Sequence, residues 1–133
     1  METALSLDTT FLIDLQKERK RVREGKAVRL LQAHPKARLL CSAVAWGEFL
    51  EGLSDRENHP LAQSLRTFLD VIPITDTTSV IYAQVTAQLR SEGRLIGAND
   101  LWIASAAIEH ALPLATRNDA EFNRVNGLRV VGY

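Results

Sequence analysis

Short apolar runs of β type alternate with helix-periodic stretches along the whole chain, and this alternation limits the fold more than any other feature. The runs lie at 4–7 (ALSL), 38–41 (RLLC), 71–74 (VIPI), 112–115 (LPLA) and 128–131 (LRVV). A long helical stretch follows Asp8. Ser42 is placed to cap a helix over 43–53, in which Trp46, Phe49, Leu50 and Leu53 share a stripe. Pro60 suits the first turn of a helix reaching about residue 68. Ile81, Val85 and Leu89 recur every four residues in a helix over 78–92 that Gly93 stops. Asn99 or Asp100 can cap a further helix ending near His110. Pro73 assigns the third run to an edge strand or a strand end. Strands alternating with helices predict an α/β fold, a three-layer α/β/α domain around a mainly parallel central sheet of about five strands.

With 133 residues, the chain suits one domain spanning 1–133 with an ordinary core. A single cysteine, Cys41, removes any internal disulfide framework, and no apolar run approaches the ~20 residues of a bilayer span. METALSLDTT lacks the basic start of a signal peptide. These features predict a soluble, cytoplasmic protein without membrane association. Sixteen basic and sixteen acidic side chains cancel, but unevenly. The segment KERKRVREGK at 17–26 concentrates Lys17, Arg19, Lys20, Arg21, Arg23 and Lys26, leaving the remainder net acidic. Such a segment is either a solvated helix face with pairs such as Lys20 and Glu24, or a contact surface for a polyanion or acidic partner.

In an open parallel sheet, ligands bind beyond the carboxyl ends of the strands. Asp8 follows the first run, and Glu48 lies one helical turn beyond the second. Asp100 follows the connection after the long helix, and Thr116, Asn118, Asp119 and Glu121 follow LPLA. Carboxylates that converge repel one another and are costly to bury without a cation. Oxygen ligands select Mg²⁺ or Mn²⁺, and a metal so held activates water toward a phosphodiester. Each acid also has a structural reading. Asp8 and Asp100 precede helices, where an aspartate caps. The helical wheel leaves Glu48 between solvent and pocket. Cys41, Trp46 and Trp102 read as core residues, Asp14 as exposed, and His34, His59 and His110 show no metal-type spacing.

The segments LDTTFLIDL at 7–15, AVAWGEFLEGL at 43–53 and GRLIGANDLWIASAAIEHALPLATRNDAEFNRVNGLRVV at 93–131 resemble, in order, the three blocks of PIN-domain ribonucleases, and the last is similar to the VapC toxins. The resemblance implies a PIN-like fold and a Mg²⁺- or Mn²⁺-dependent endoribonuclease, the toxin of a toxin–antitoxin pair. It further implies inhibition by a VapB-like antitoxin and a homodimer. By position, Asp8 and Asp100 match the family's metal-binding aspartates and Glu48 its second-helix acid. Thr116 matches the hydroxyl residue that supports the metal, with Thr9 and Asn99 as neighbours of the site. Where many relatives carry a fourth aspartate, this chain has Asn118. Asp119 or Glu121 could reach inward instead, and the lost charge predicts one well-held ion in the free protein. Within this reading the basic residues at 17–23 bind RNA or a partner.

Other readings lack their residues. A phosphatase of the haloacid dehalogenase type needs an acid where Thr10 stands. A phospho-acceptor receiver domain needs paired acids by the first strand and a lysine after a late one. A catalytically degenerate PIN-fold binding module is opposed by the retained trio Asp8, Glu48 and Asp100.

Overall fold

A computed structural model describes residues 2–133. In chain order the elements are β1 (Ala4–Leu7), α1 (Thr9–Lys20), α2 (Lys26–Ala33), β2 (Arg38–Ser42), α3 (Ala43–Glu51) and α4 (Pro60–Leu65). They continue with β3 (Leu69–Ile72), α5 (Asp76–Ser91), α6 (Ala98–Glu109), β4 (Leu114–Thr116), α7 (Asp119–Phe122) and β5 (Val130–Gly132). The five strands form one sheet in the order β3-β2-β1-β4-β5, with every pairing parallel. The expected α/β architecture is therefore present, with seven helices flanking the sheet. No described helix is long and apolar enough to cross a membrane.

Strand β1 is central, and its side chains are buried from Leu5 onward, as befits a parallel strand covered on both faces. Leu5, Leu7, Phe11, Leu12, Phe49, Leu69, Leu89, Ile103, Leu114 and Phe122 belong to one continuous apolar cluster. Cys41 lies within it, and burial raises its thiol to about 12, so it packs as a small hydrophobe.

Several boundaries differ from the sequence expectation for local reasons. The long helix after Asp8 is two helices. The Glu18 carboxylate folds back so that Oε1 accepts from the Gly25 and Val28 amides and Oε2 from Ala27. It thereby satisfies the first turn of α2, whose N-cap, Gly25, has no side chain to do so. Between the helices Val22 takes a left-handed backbone at φ 51°. Glu24 thus stands outside α1 and accepts from Gln32 at 3.0 Å, so the Lys20–Glu24 helical pair does not arise. β3 begins two residues early and ends at Ile72, because Pro73 has no amide for the ladder. β3 is an edge strand, as Pro73 required.

Ser42 caps α3 through the Ala45 amide at 3.1 Å, as expected. Thr75 and Thr78 form a reciprocal capping box that starts α5 ahead of the predicted position, and Gly93 ends it at φ 65°. Gly97, not Asn99 or Asp100, is the N-cap of α6; both polar residues therefore fall in its first turn, where their side chains are free for other partners.

Leu114 is fully buried between β1 and β5. Leu114→Ala is expected to cost about 2–5 kcal/mol. In urea unfolding this should lower the midpoint with an unchanged slope.

Candidate active site

The chain leaves β1 toward β2 and β3 on one side, and β4 and β5 are added on the other. The carboxyl ends of β1 and β4 therefore face a topological switch point, where open α/β sheets leave a crevice. The residue after β1 is Asp8, and the last residue of β4 is Thr116.

Asp8 caps α1 and is only 3% exposed. Oδ1 accepts from the Phe11 amide at 2.8 Å. The Thr10 hydroxyl lies 2.9 Å from each carboxylate oxygen. Thr116 adds a side-chain hydrogen bond. Its oxygen also accepts from the Asn118 amide at 2.9 Å, which leaves its proton directed at Asp8. Burial pushes the Asp8 carboxyl up, against the hydrogen bonds from Thr116, Phe11 and Thr10. The capping reading of Asp8 is correct, and it coexists with a place in the pocket.

Glu48 is half-buried in α3. Thr9 donates to Oε1 at 2.7 Å and the Asn99 amide group donates to Oε2 at 3.1 Å. The first turns of α1 and α6 thus hold both oxygens, so the side chain that periodicity left undecided is turned toward these two helices. Asp100, in the first turn of α6, has its carboxyl pushed up to about 6. Burial is the larger cause, followed by the charges of Glu121, Glu48 and Asp8. Those interactions place four carboxylates from four separate segments in one neighbourhood.

The structure separates the two acids beyond Asn118. Glu121 faces Asp100. Asp119 turns toward β5, with Oδ2 only 3.3 Å from where a Cβ on Gly132 would stand. The Asn118 side chain is exposed and caps nothing. The basic segment is not brought to the pocket. Lys17, Arg19 and Lys20 lie at the far end of α1, about 13 Å or more from Asp8 at ~1.5 Å per residue, and Arg21 and Arg23 lie beyond it. Arg19 instead donates to Ser64 at 3.1 Å.

Sequence reasoning missed one cluster beside the pocket. Asp14, expected on the surface, has a side chain only 16% exposed. Its Oδ2 accepts from the Tyr133 hydroxyl at 2.7 Å and pairs with Arg117 Nε at 3.1 Å. Tyr133 also packs edge-on against Phe11, with ring centroids 4.8 Å apart. Only the fold joins positions so far apart in the chain, and no local pattern signals it. Trp46 packs against Phe49, and Trp102 stacks on Tyr82 at 3.9 Å, so both serve packing.

The donor set is all oxygen and carries excess negative charge. No Lys or Arg appears among the described groups that shift Asp8 or Asp100. This chemistry fits a hard divalent cation such as Mg²⁺ or Mn²⁺. Among the described residues no three Asp, Glu, His or Cys side chains already close on one point, so the carboxylates form an open set.

The PIN domain family model matches residues 5–128. Ribonuclease VapC1 of Haemophilus influenzae strain R2866 is 32% identical over 129 residues, covering 92% of both chains. The solved VapBC-1 structure from nontypeable H. influenzae superposes with a TM-score of 0.79 at 28% identity, covering 97% of each chain. VapBC2 from Rickettsia felis, solved bound to a DNA fragment from its promoter, gives the same TM-score of 0.79 at 23% identity over 98% of each chain. At that identity the likeness speaks for the fold.

The raised Asp100 carboxyl has a thermodynamic consequence. Its folded value of about 6 stands above the ordinary 3.8. The favourable contribution of the protonated group is therefore complete below about pH 4 and is lost as pH rises through 6. A shift of this size corresponds to roughly 3 kcal/mol, which solvent screening at a half-exposed group reduces to on the order of 1 kcal/mol. In chelator at pH 7.5, Asp100→Asn should melt about 4 °C above the unsubstituted protein. The difference should vanish by pH 4. Added Mn²⁺ should raise the Tm of the unsubstituted protein more than that of the variant.

Proposed function

This chain belongs to the PIN-domain family and, within it, to the VapC ribonuclease toxins, and on that premise we propose that its pocket hydrolyses RNA phosphodiester bonds. The observation that carries the reading is the meeting of Asp8, Glu48, Asp100 and Glu121 at the switch point without a compensating cation. Asp8 and Asp100 would hold Mg²⁺ or Mn²⁺, with Glu48 and Glu121 completing the negative field. A cation bound there supplies Lewis-acid activation of water and of a phosphate oxygen.

The protein's own residues do the positioning. Thr10, Thr116 and the Phe11 amide fix the rotamer of Asp8 and oppose the burial that raises its carboxyl. Thr9 and Asn99 hold Glu48 from two sides, so its carboxylate stays within the pocket. In the metal-free protein the Asp100 carboxyl is held up to about 6, so it must lose a proton before it can take a cation, and the affinity for Mn²⁺ should rise from pH 5 to pH 7. Glu121 returns to the pocket the charge that Asn118 lacks, while Asp119 is committed to β5.

A second surface suits an antitoxin. A groove of about 430 Å³ lies between α1, α2 and α4, with Leu15, Val28 and Leu65 in its walls; Arg19 and Arg23 line it together with Glu18, which is spent on the α2 amides, and Glu24, which accepts from Gln32. Val22 and Phe68 stand at its edge 92% and 49% exposed, which is unusual for large apolar side chains without a partner. An amphipathic segment carrying acidic residues matches both features, and a VapB-like antitoxin is the occupant to which we assign the groove. The basic residues at 17–23 then serve the antitoxin rather than the RNA. We also assign a homodimer and a cytoplasmic site of action, where RNA is the available substrate.

The decisive experiment incubates purified protein with total RNA in Mg²⁺ or Mn²⁺, and in parallel with chelator. Cleavage should require the metal, and Asp8→Asn and Asp100→Asn should each lower it at least 100-fold. Metal-independent cleavage, or cleavage surviving both substitutions, would reject the assignment. Absence of both cleavage and metal binding would leave a degenerate binding module. Separately, Val22→Glu or Phe68→Glu should release a co-expressed VapB-like antitoxin in pull-down while RNA cleavage is retained.

A further inference from the structure

We infer that Arg117 is the residue through which the pocket grips a phosphate of its RNA, an inference that rests on the nuclease reading above. The pocket's own groups repel a polyanion: Asp8, Glu48, Asp100 and Glu121 are all acidic. A bound cation answers the phosphate at the reacting position only. A neighbouring phosphate needs a positive group at the rim, close to the pocket but not neutralising it.

Arg117 is placed to be that group. It follows Thr116, whose hydroxyl bonds Asp8. β1 and β4 are in register at Leu7 and Ala115, so Arg117 emerges one residue beyond the partner of Asp8. It does not figure among the charges acting on Asp8 or Asp100. Its guanidinium therefore stands at the rim and leaves the acidic pocket uncompensated.

The side chain is also set in place. Nε pairs with Asp14 Oδ2 at 3.1 Å, and that oxygen is fixed in turn by the Tyr133 hydroxyl at 2.7 Å. Asp14 is mostly buried while Arg117 remains 56% exposed. A guanidinium tied through Nε keeps both terminal nitrogens as donors, and their fork matches phosphate oxygens. Holding one edge removes rotamer freedom before RNA arrives, which lowers the entropic cost of binding.

The test is RNA affinity rather than turnover. A fluorescein-labelled, mixed-sequence single-stranded RNA dodecamer is titrated in Mg²⁺ across a salt series. An Asp8→Asn background keeps the RNA intact. Arg117→Gln should weaken binding about fivefold to tenfold at 50 mM salt and reduce the salt slope by about 0.7, the share of one phosphate contact on a single strand. Arg117→Lys, which keeps the charge, should restore most of the slope. Arg129→Gln is the control, because Arg129 pairs with Glu2 at the opposite, amino edge of the sheet. In the cleaving protein, Arg117→Gln should raise KM while kcat stays within twofold. Equal slopes for Arg117→Gln and Arg129→Gln, with RNA still cleaved by the unsubstituted protein, would overturn the role of Arg117 and leave the nuclease reading intact. Failure of the unsubstituted protein to bind or cleave RNA would overturn both. If Arg117→Gln unfolds, the folded Arg117→Lys variant carries the test: weaker binding at 50 mM salt with most of the slope kept would support the guanidinium's grip, and affinity equal to that of the unsubstituted background would reject it.

Discussion

Like charge crowded at one rim is the constraint around which the rest of this molecule is arranged. Nothing in the chemistry of Asp8, Glu48, Asp100 and Glu121 favours their meeting, and Asp100 bears the cost: after burial, the charges of the other three raise its carboxyl. The fold imposes the meeting: β1 and β4 are buried and in fixed register, which sets Asp8 beside Thr116, while Thr9 and Asn99 draw the α3 residue Glu48 to the first turns of α1 and α6. Rigid packing beneath the rim stores the repulsion that a cation would relieve.

The choice of partners for each carboxylate separates two duties. Asp8 and Glu48 are held by neutral donors: the Thr9 and Thr10 hydroxyls, the Phe11 amide and the Asn99 side chain. Neutral donors orient a carboxylate and favour its ionised form without cancelling its charge. Asp14 is treated in the opposite way. It stands on the same helix, also largely buried, yet it is paired with Arg117 and Tyr133. Had Asp8 received an arginine, the free protein would be easier to fold, but the pocket would hold its own counter-ion. Leaving Asp8 to hydroxyls and giving Asp14 the guanidinium keeps attraction for a cation in the pocket and attraction for an anion at its edge.

This division decides what could be read from the residues alone. Alternating β runs gave the sheet, and Asp8, Glu48 and Asp100 were legible because each follows a strand or a connection at the carboxyl edge. The polarity of a parallel sheet is implicit in such a pattern. Three things were not legible. The helix break at 21–25 depends on Glu18 reaching three amides of the next helix, an interaction without a spacing rule. The choice between Asp119 and Glu121 turns on which of them lies against β5 and which acts on Asp100, and the four residues of α7 carry too little periodicity to tell. The burial of Asp14 requires Tyr133, 119 positions away. Local propensity finds elements and their ends; long-range pairing belongs to the tertiary fold.

The two ends of α1 explain why the basic segment lies away from the pocket and how the two surfaces are nevertheless connected. A helix that starts at the carboxyl end of β1 must run back along the sheet before the chain can enter the next parallel strand. Its first turn therefore belongs to the pocket and its last turn to the opposite edge. Twelve residues separate these surfaces by about 18 Å. Charge at 17–23 cannot line a pocket whose floor is residue 8, whatever its sign. A partner seated in the groove near Val22 consequently leaves the carboxylates uncovered. To obstruct them it must extend along α1 by about six residues of extended chain, or act through α1 itself. The first turn of that helix supplies the amide on Asp8 and the hydroxyl on Glu48. The same rigid element thus binds the occupancy of one surface to the geometry of the other.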